Sequence, residues 1–205
     1  MPDTARNGPR TCVCPWWLMY FFDHRLRRLF QPTRSVIEPL VASGYSCLDV
    51  GCGMGYFTIP LAQLVGPTGH VTGVDLQPKM LEGAAKRAKR ERLVDRISLR
   101  LSTDADWAIP GRYDFVLAFW MLHEVPDRKA FLATIRKVLK TSGRFLLVEP
   151  RLHVGERQWQ DSLDLAQAVG FGSVTPRAIK LSRAAILQLR SARAGYQADA
   201  ADPWC

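Results

Sequence analysis

Between Gly44 and Val169, short β-branched apolar runs alternate with longer amphipathic stretches, and this alternation limits the chain to a narrow set of folds. Repeated βα units bury a mostly parallel sheet between helices on both of its faces. The strand candidates are Ser46–Val50, His70–Asp75, Ile97–Leu101, Asp114–Ala118 and Arg144–Glu149. Several are apolar along their whole length, as strands are when helices cover both sides. The spacing predicts helices over Tyr56–Val65, Pro78–Arg92, Arg128–Leu139 and Glu156–Val169, with turns at Gly66-Pro67, Gly111 and Ser142-Gly143. Past Gly170 the pattern thins: Gly172–Arg177 has the pattern of a strand, and Ser182–Leu189 fits either a strand or a short capped helix. A doubly wound α/β domain over residues 44–190 follows, and the Ala- and Asp-rich residues 191–205 are expected to form a mobile tail. A chain of 205 residues holds one such core with attachments.

Residues 1–43 do not continue the pattern. A polar start leads into Cys12-Val-Cys-Pro-Trp-Trp-Leu-Met-Tyr-Phe-Phe22 and then a basic segment through Leu29. Trp16, Trp17, Tyr20, Phe21 and Phe22 would be costly to leave in water, so a helical lid lying against the domain, a partner or a membrane surface is expected. Its apolar run ends at Asp23-His24-Arg25, well short of the roughly 20 residues a spanning helix needs. No secretory leader is expected, because no small-residue cleavage site follows the run. The 5 cysteines are an odd number, which argues against a disulfide framework and for a reducing cytoplasm. Lys+Arg number 28 against 19 Asp+Glu, a net +9. The basic run Lys86-Arg-Ala-Lys-Arg-Glu-Arg92 falls on the helix after the second strand, where it reads as a solvated face and not as a nucleic-acid surface. Weak contact with a membrane surface is suggested only by the aromatic segment beside Arg25, Arg27 and Arg28. The oligomeric state is left open.

The strongest local signal is Leu48-Asp49-Val50-Gly51-Cys52-Gly53-Met54-Gly55, at the junction of the first strand and first helix. A dinucleotide fingerprint G-x-G-x-x-G needs its third glycine at position 56, where Tyr56 stands, and no Gly-Lys-Ser/Thr follows to make a P-loop. What remains is a tight turn whose missing side chains let a ligand approach the backbone, with N–H groups at a helix start. The second strand ends at Asp75, a carboxylate placed to accept two hydrogen bonds from a ribose diol. Together these describe a nucleoside site without a pyrophosphate.

With these residues in view, the chain resembles class I S-adenosylmethionine-dependent methyltransferases, in particular the small-molecule group that includes quinone and arsenite methyltransferases. The resemblance runs over about Gly44 to Phe171. Asp49-Val-Gly-Cys-Gly-Met-Gly55 matches the family's methionine-binding loop, and Val74-Asp75-Leu76 its ribose-binding strand end. Asp104-Ala105 stands where the family places an acidic residue facing the adenine amino group, and Asp114-Phe-Val-Leu-Ala-Phe119 matches the fourth strand. Lys140-Thr-Ser-Gly143 departs from the family's usual Lys-Pro-Gly-Gly, in a turn away from the cofactor. The resemblance implies a Rossmann-like, seven-stranded sheet ending in an antiparallel hairpin, with S-adenosyl-L-methionine as cofactor. It implies cofactor contacts from Asp49, Gly51, Cys52, Gly53 and Gly55 in the loop, and from Asp75, Leu76, Asp104, Ala105 and Phe119 beyond it. Asp49 could equally serve by orienting the loop.

Methyl transfer from a sulfonium to a small-molecule acceptor is an in-line displacement, so alignment in a desolvated pocket is its main demand. A base is needed where the nucleophile arrives protonated. In an open α/β sheet the acceptor pocket opens at the carboxyl ends of the strands. His123, just beyond the fourth strand, is the first candidate for that base because its ordinary pKa lies near neutrality. Its neighbour Glu124 is the second catalytic candidate. Trp16, Tyr20 and Trp120 are expected to wall the acceptor and face the sulfonium by cation–π contact, with Glu149 at the end of the fifth strand beside them. Cys12 and Cys14 raise a thiol-bound metalloid, arsenite-type acceptor as an alternative, although no cysteine lies between Cys52 and Cys205. A catalytically silent cofactor-binding protein is the other alternative. No resident metal is expected, for want of a second Cys/His pair at ligand spacing.

Overall fold

The computed structural model describes residues 33–103, 107 and 109–190. Seven strands form one sheet: β1 (Ser46–Val50), β2 (His70–Asp75), β3 (Ile97–Leu101), β4 (Tyr113–Phe119), β5 (Leu139–Pro150), β6 (Phe171–Pro176) and β7 (Ser182–Leu189). Their order is β3-β2-β1-β4-β5-β7-β6. The first five pair in parallel, and β7 runs antiparallel between β5 and β6. The helices are α1 (Thr33–Ile37), α2 (Thr58–Val65), α3 (Pro78–Arg90), α4 (Arg128–Val138) and α5 (Glu156–Ala168). This is the doubly wound α/β sheet that the alternation predicts. It also decides the open element, for Ser182–Leu189 is a strand.

Burial on both faces explains why the parallel strands are apolar throughout. Along β5, Phe145 and Leu147 enter one core cluster while Leu146 and Val148 enter the other, and along β4 Val116 and Ala118 oppose Phe115, Leu117 and Phe119. Helix α4 covers the first face with Phe131, Leu132, Ile135 and Val138, an i, i+4, i+7 stripe. Each such fully buried side chain stabilises by about 1.5–3 kcal/mol. Asp127 caps that helix by accepting the Ala130 N–H at 2.9 Å. Helix α2 covers the other face with Ile59, Leu61, Ala62 and Val65. Val36, Ile37 and Leu40, which the sequence boundary grouped with the lid, are buried in the same cluster. The lid's Trp16 and Tyr20, Cys12 and Cys14, and the tail 191–205 lie outside the described residues.

Several element ends differ from expectation for local reasons. Helix α2 starts at Thr58 because Gly55–Phe57 first complete a turn, and α3 stops at Arg90 where the chain heads for Arg92 at φ +57°. The expected turn at Ser142-Gly143 lies within β5 instead. There the pairing with β4 jumps from Tyr113↔Leu139 to Phe115↔Arg144, so the extra residues form an irregularity in a continuous strand. Asp114 Oδ2 clamps this region, accepting from Ser46 N at 2.9 Å and Lys140 Nζ at 2.8 Å. The clamp fixes the amino ends of β1, β4 and β5, and the opposite ends carry the site.

Candidate functional site

The strand order reverses between β1 and β4, and in open α/β sheets ligands bind where the order reverses, beyond the carboxyl ends. The glycine loop leaves β1 at that point. Gly51 and Cys52 donate their N–H groups to Val74 O at 2.9 and 3.0 Å, tying the loop to β2. Gly51 has φ +68°, and a Cβ there would lie 3.1 Å from Met121 Cβ across the crevice. Gly55 has φ +81°, and its Cβ would meet Ala84 Cβ of α3 at 3.3 Å. The first glycine lets the loop approach Met121 and the second lets it approach a helix.

Two carboxylates hold the loop from below. Asp75 Oδ2 accepts Gly53 N–H at 2.9 Å and Oδ1 accepts Gln77 N–H at 2.9 Å. Burial pushes its pKa up against those donors. Asp49 is 2% exposed and accepts the Thr58 hydroxyl at 2.6 Å. Burial pushes its carboxyl up to about 7, with the Thr58 bond opposing and the charge of Asp75 adding to the rise. Leu76 is half-buried beside Asp75. Cys52 is buried, its sulfur so close to β2 that a Cβ on Gly73 would lie 3.1 Å from it. Burial holds this thiol protonated, well above its ordinary range. Ser102, one residue past β3, donates its N–H to Asp75 O at 3.0 Å, and its buried hydroxyl has no hydrogen-bond partner among the described residues. Asp104 and Ala105 fall outside the described residues.

Across the crevice, Glu149 at the end of β5 is 1% exposed. Oε1 accepts Leu122 N–H at 3.0 Å, and Oε2 accepts both His123 N–H at 3.0 Å and His123 Nδ1–H at 2.8 Å. A carboxylate can only accept, so Nδ1 carries a proton, and in the neutral ring Nε2 keeps a lone pair. Glu124 Oε1 stands 4.0 Å from that Nε2. Burial pulls the His123 pKa down, but the Glu149 hydrogen bond and the charges of Glu149 and Glu124 outweigh it, and the net shift is upward.

Trp120 takes φ +59°, an uncommon and costly conformation for a bulky residue, at the end of β4. Its Nε1–H donates to Ser182 Oγ at 3.0 Å, joining the site to the β6–β7 hairpin. Its ring heads a row through Phe119 (5.4 Å), Phe57 (4.5 Å) and Tyr56 (5.3 Å). Phe119 is therefore buried between two rings. Sequence reasoning missed Thr58, Phe57, Met121 and Ser182. A hydroxyl at the first helical position after the loop signals Thr58, whereas Met121 and Ser182 meet the site through contacts between distant segments.

Residues 42–185 match the methyltransferase domain family. The chain belongs to that family. Its match to nocamycin O-methyltransferase of Saccharothrix syringae is 36% identical over 140 residues, covering 68% of this chain and 48% of the relative. Its match to demethylmenaquinone methyltransferase of Staphylococcus aureus is 38% identical over 112 residues, 53% of this chain and 44% of the relative. The chain thus spans about half the length of these relatives. A crystal structure of a SAM-dependent methyltransferase from Aquifex aeolicus superposes with TM-score 0.76 at 20% identity, over 87% of this chain and all of the other, which establishes a shared fold.

S-adenosylmethionine is the cofactor of this methyltransferase family, and the residues present fit it. Gly51 lets the loop lie so close to Met121 that any side chain there would crowd it, and the Asp75 oxygens, each with a further lone pair, offer acceptors to a ribose. The orphaned Ser102 hydroxyl lies at the strand end beside them.

Proposed function

We propose that this chain is an S-adenosylmethionine-dependent methyltransferase acting on a small-molecule acceptor. The observation that carries the reading is the pairing of the Gly51–Gly55 loop with Asp75 at the point where the strand order reverses. Names of the relatives, a nocamycin O-methyltransferase and a demethylmenaquinone methyltransferase, support a small organic acceptor over a nucleic acid. Among the described residues no helix is long and apolar enough to cross a membrane. Membrane contact, if made, would rest on the aromatic segment.

When bound, S-adenosylmethionine supplies a methyl group already activated on a cationic sulfur. The loop, with Asp75 and Asp49, would hold it in register with the acceptor, and alignment of this kind contributes about 7–11 kcal/mol to lowering a barrier. Nε2 of His123 accepts the acceptor's proton, a contribution of about 10²–10⁴ in rate. Glu149 positions that histidine and stabilises its protonated form without meeting the acceptor. Trp120 and the aromatic row behind it exclude water and give the cationic sulfur a π face. Incubation with S-adenosylmethionine carrying a labelled methyl group and a panel of phenols, quinols, enols and thiols tests the reading. Label is expected in a small-molecule product in a His123-dependent manner; no transfer to any acceptor contradicts it.

A further inference from the structure

A second imidazole stands beside the first. The His153 ring lies 5.8 Å from the His123 ring, centroid to centroid, at an interplanar angle of 61°. His153 is exposed and sits in the turn after β5, at the carboxyl edge where the crevice opens. That turn is held rigidly. His153 and Val154 donate their N–H groups to Pro150 O at 3.2 and 2.9 Å, Arg183 Nε donates to Val154 O at 3.0 Å, and Val154 is 1% exposed in the core. On its other flank Arg151 donates N–H to Leu181 O and Nε to Ser182 O, both at 3.0 Å, and Ser182 in turn accepts from Trp120. Histidine, base, tryptophan and hairpin therefore form one connected frame. Beside His153 the frame presents Leu152, 89% exposed.

We infer that His153 is a specificity residue of the acceptor site, hydrogen-bonding a second oxygen of the acceptor while His123 faces the first, so that the favoured acceptors carry two oxygens on adjacent carbons. Glu149 engages Nδ1 of His123, leaving that residue a single nitrogen for the acceptor. It cannot also hold a neighbouring oxygen. Rings with centroids 5.8 Å apart are close enough for hydrogen bonds of about 2.8 Å from each to reach two oxygens on adjacent carbons of one acceptor. A neutral imidazole offers one donor and one acceptor, so His153 suits a hydroxyl or a carbonyl at the second position. A rigid turn gives such a contact more selectivity than a loose loop would. Leu152 supplies an apolar rim for the ring or chain that carries the oxygens.

The inference rests on the methyltransferase reading, and its test separates the two. Calorimetry measures binding of a catechol and of the matching monophenol to the complex of the protein with S-adenosylhomocysteine, for wild type, His153→Ala and His153→Gln. The alanine variant is expected to weaken catechol binding about 3- to 10-fold, the equivalent of one hydrogen bond, with monophenol binding unchanged. Steady-state kinetics should show the same loss in KM with kcat within about twofold, and glutamine should restore part of it. Equal affinity of wild type for the two acceptors, binding of neither, or an identical loss for both in the alanine variant overturns the inference. Failure of wild type to bind S-adenosylhomocysteine overturns the methyltransferase reading instead.

Discussion

Glu149 Oε2 accepts both the backbone N–H and the Nδ1–H of His123, at 3.0 and 2.8 Å. One buried carboxylate thus fixes the backbone, ring orientation and tautomer of a single residue. The other oxygen anchors Leu122, which is fully buried in the core, so the β4 end cannot shift without breaking this network. In the proposed mechanism position 149 is structural and position 123 chemical, and the two roles separate by mutation.

His123→Ala should reduce kcat by about 10²-fold or more while leaving S-adenosylhomocysteine affinity within about twofold. Glu149→Ala should do more damage to the fold, because it strands two N–H donors and a histidine. A loss of about 2–4 kcal/mol in urea unfolding is expected, against a small change for His123→Ala. Equal stability of the two variants would contradict the division of roles.

The pH profile follows from the upward shift of His123 above its ordinary 6.5. A base must be neutral, so kcat/KM should rise with pH along an acidic limb whose midpoint lies above 6.5. Stability runs the other way: the contribution of the protonated imidazole is complete below 6.5 and is lost as pH rises through the folded value. In Glu149→Gln the amide oxygen can still accept the Nδ1–H but the negative charge no longer opposes burial, and the kinetic midpoint should move down. An unmoved midpoint would mean that another group is the base.

Asp49 predicts a separate titration. Its carboxyl rises from 3.8 to about 7 on folding, so the fold favours the neutral form. That contribution is complete below 3.8 and fades as pH rises through about 7, after which a buried charge must be tolerated. Asp49→Asn does not titrate. Its stability relative to wild type should therefore improve between about pH 4 and 7 and then level, by an amount on the order of a few kcal/mol at most. Urea midpoints at pH 4.5, 6 and 7.5 measure this; a pH-independent difference would show Asp49 ionised throughout.

Two glycines with similar backbones should respond differently to alanine. Gly111 has φ +76° with nothing within 4 Å of a Cβ, so Gly111→Ala costs only the left-handed conformation, about 1 kcal/mol. Gly51→Ala adds the 3.1 Å approach to Met121 and so displaces the loop, and cofactor affinity should fall at least tenfold. Cofactor affinity unchanged in Gly51→Ala would place the ligand elsewhere.

How much of this was legible before the structure varies by the kind of contact. The five parallel strands were readable because burial on both faces writes itself as continuous apolar runs, and the glycine loop because its backbone excludes side chains. The antiparallel strand at Ser182–Leu189 was ambiguous, since Ser182-Arg183-Ala-Ala-Ile-Leu187 suits either period and only pairing with β5 and β6 decides it. The composition of Lys140–Gly143 is that of a turn, and the irregular pairing of β5 with β4 that accommodates these residues has no local signal. In the site, Glu149 is expected beside the acceptor, holding backbone and not taking a proton, and its carboxylate faces two backbone N–H donors and the Nδ1–H of His123. His123 next to His153, and Trp120 bonded to Ser182, join segments far apart in sequence, and no local pattern encodes such meetings.

Binding of S-adenosylmethionine in the Gly51–Asp75 crevice is the step on which the proposed function depends. Titration calorimetry with S-adenosylmethionine and S-adenosylhomocysteine on the wild-type chain and on Asp75→Ala tests it most directly. Saturable one-to-one binding of both by wild type is expected, with at least a tenfold loss in the variant as the loop clamp and the ribose acceptor disappear together. No measurable heat with wild type, or equal affinity for wild type and Asp75→Ala, would contradict it.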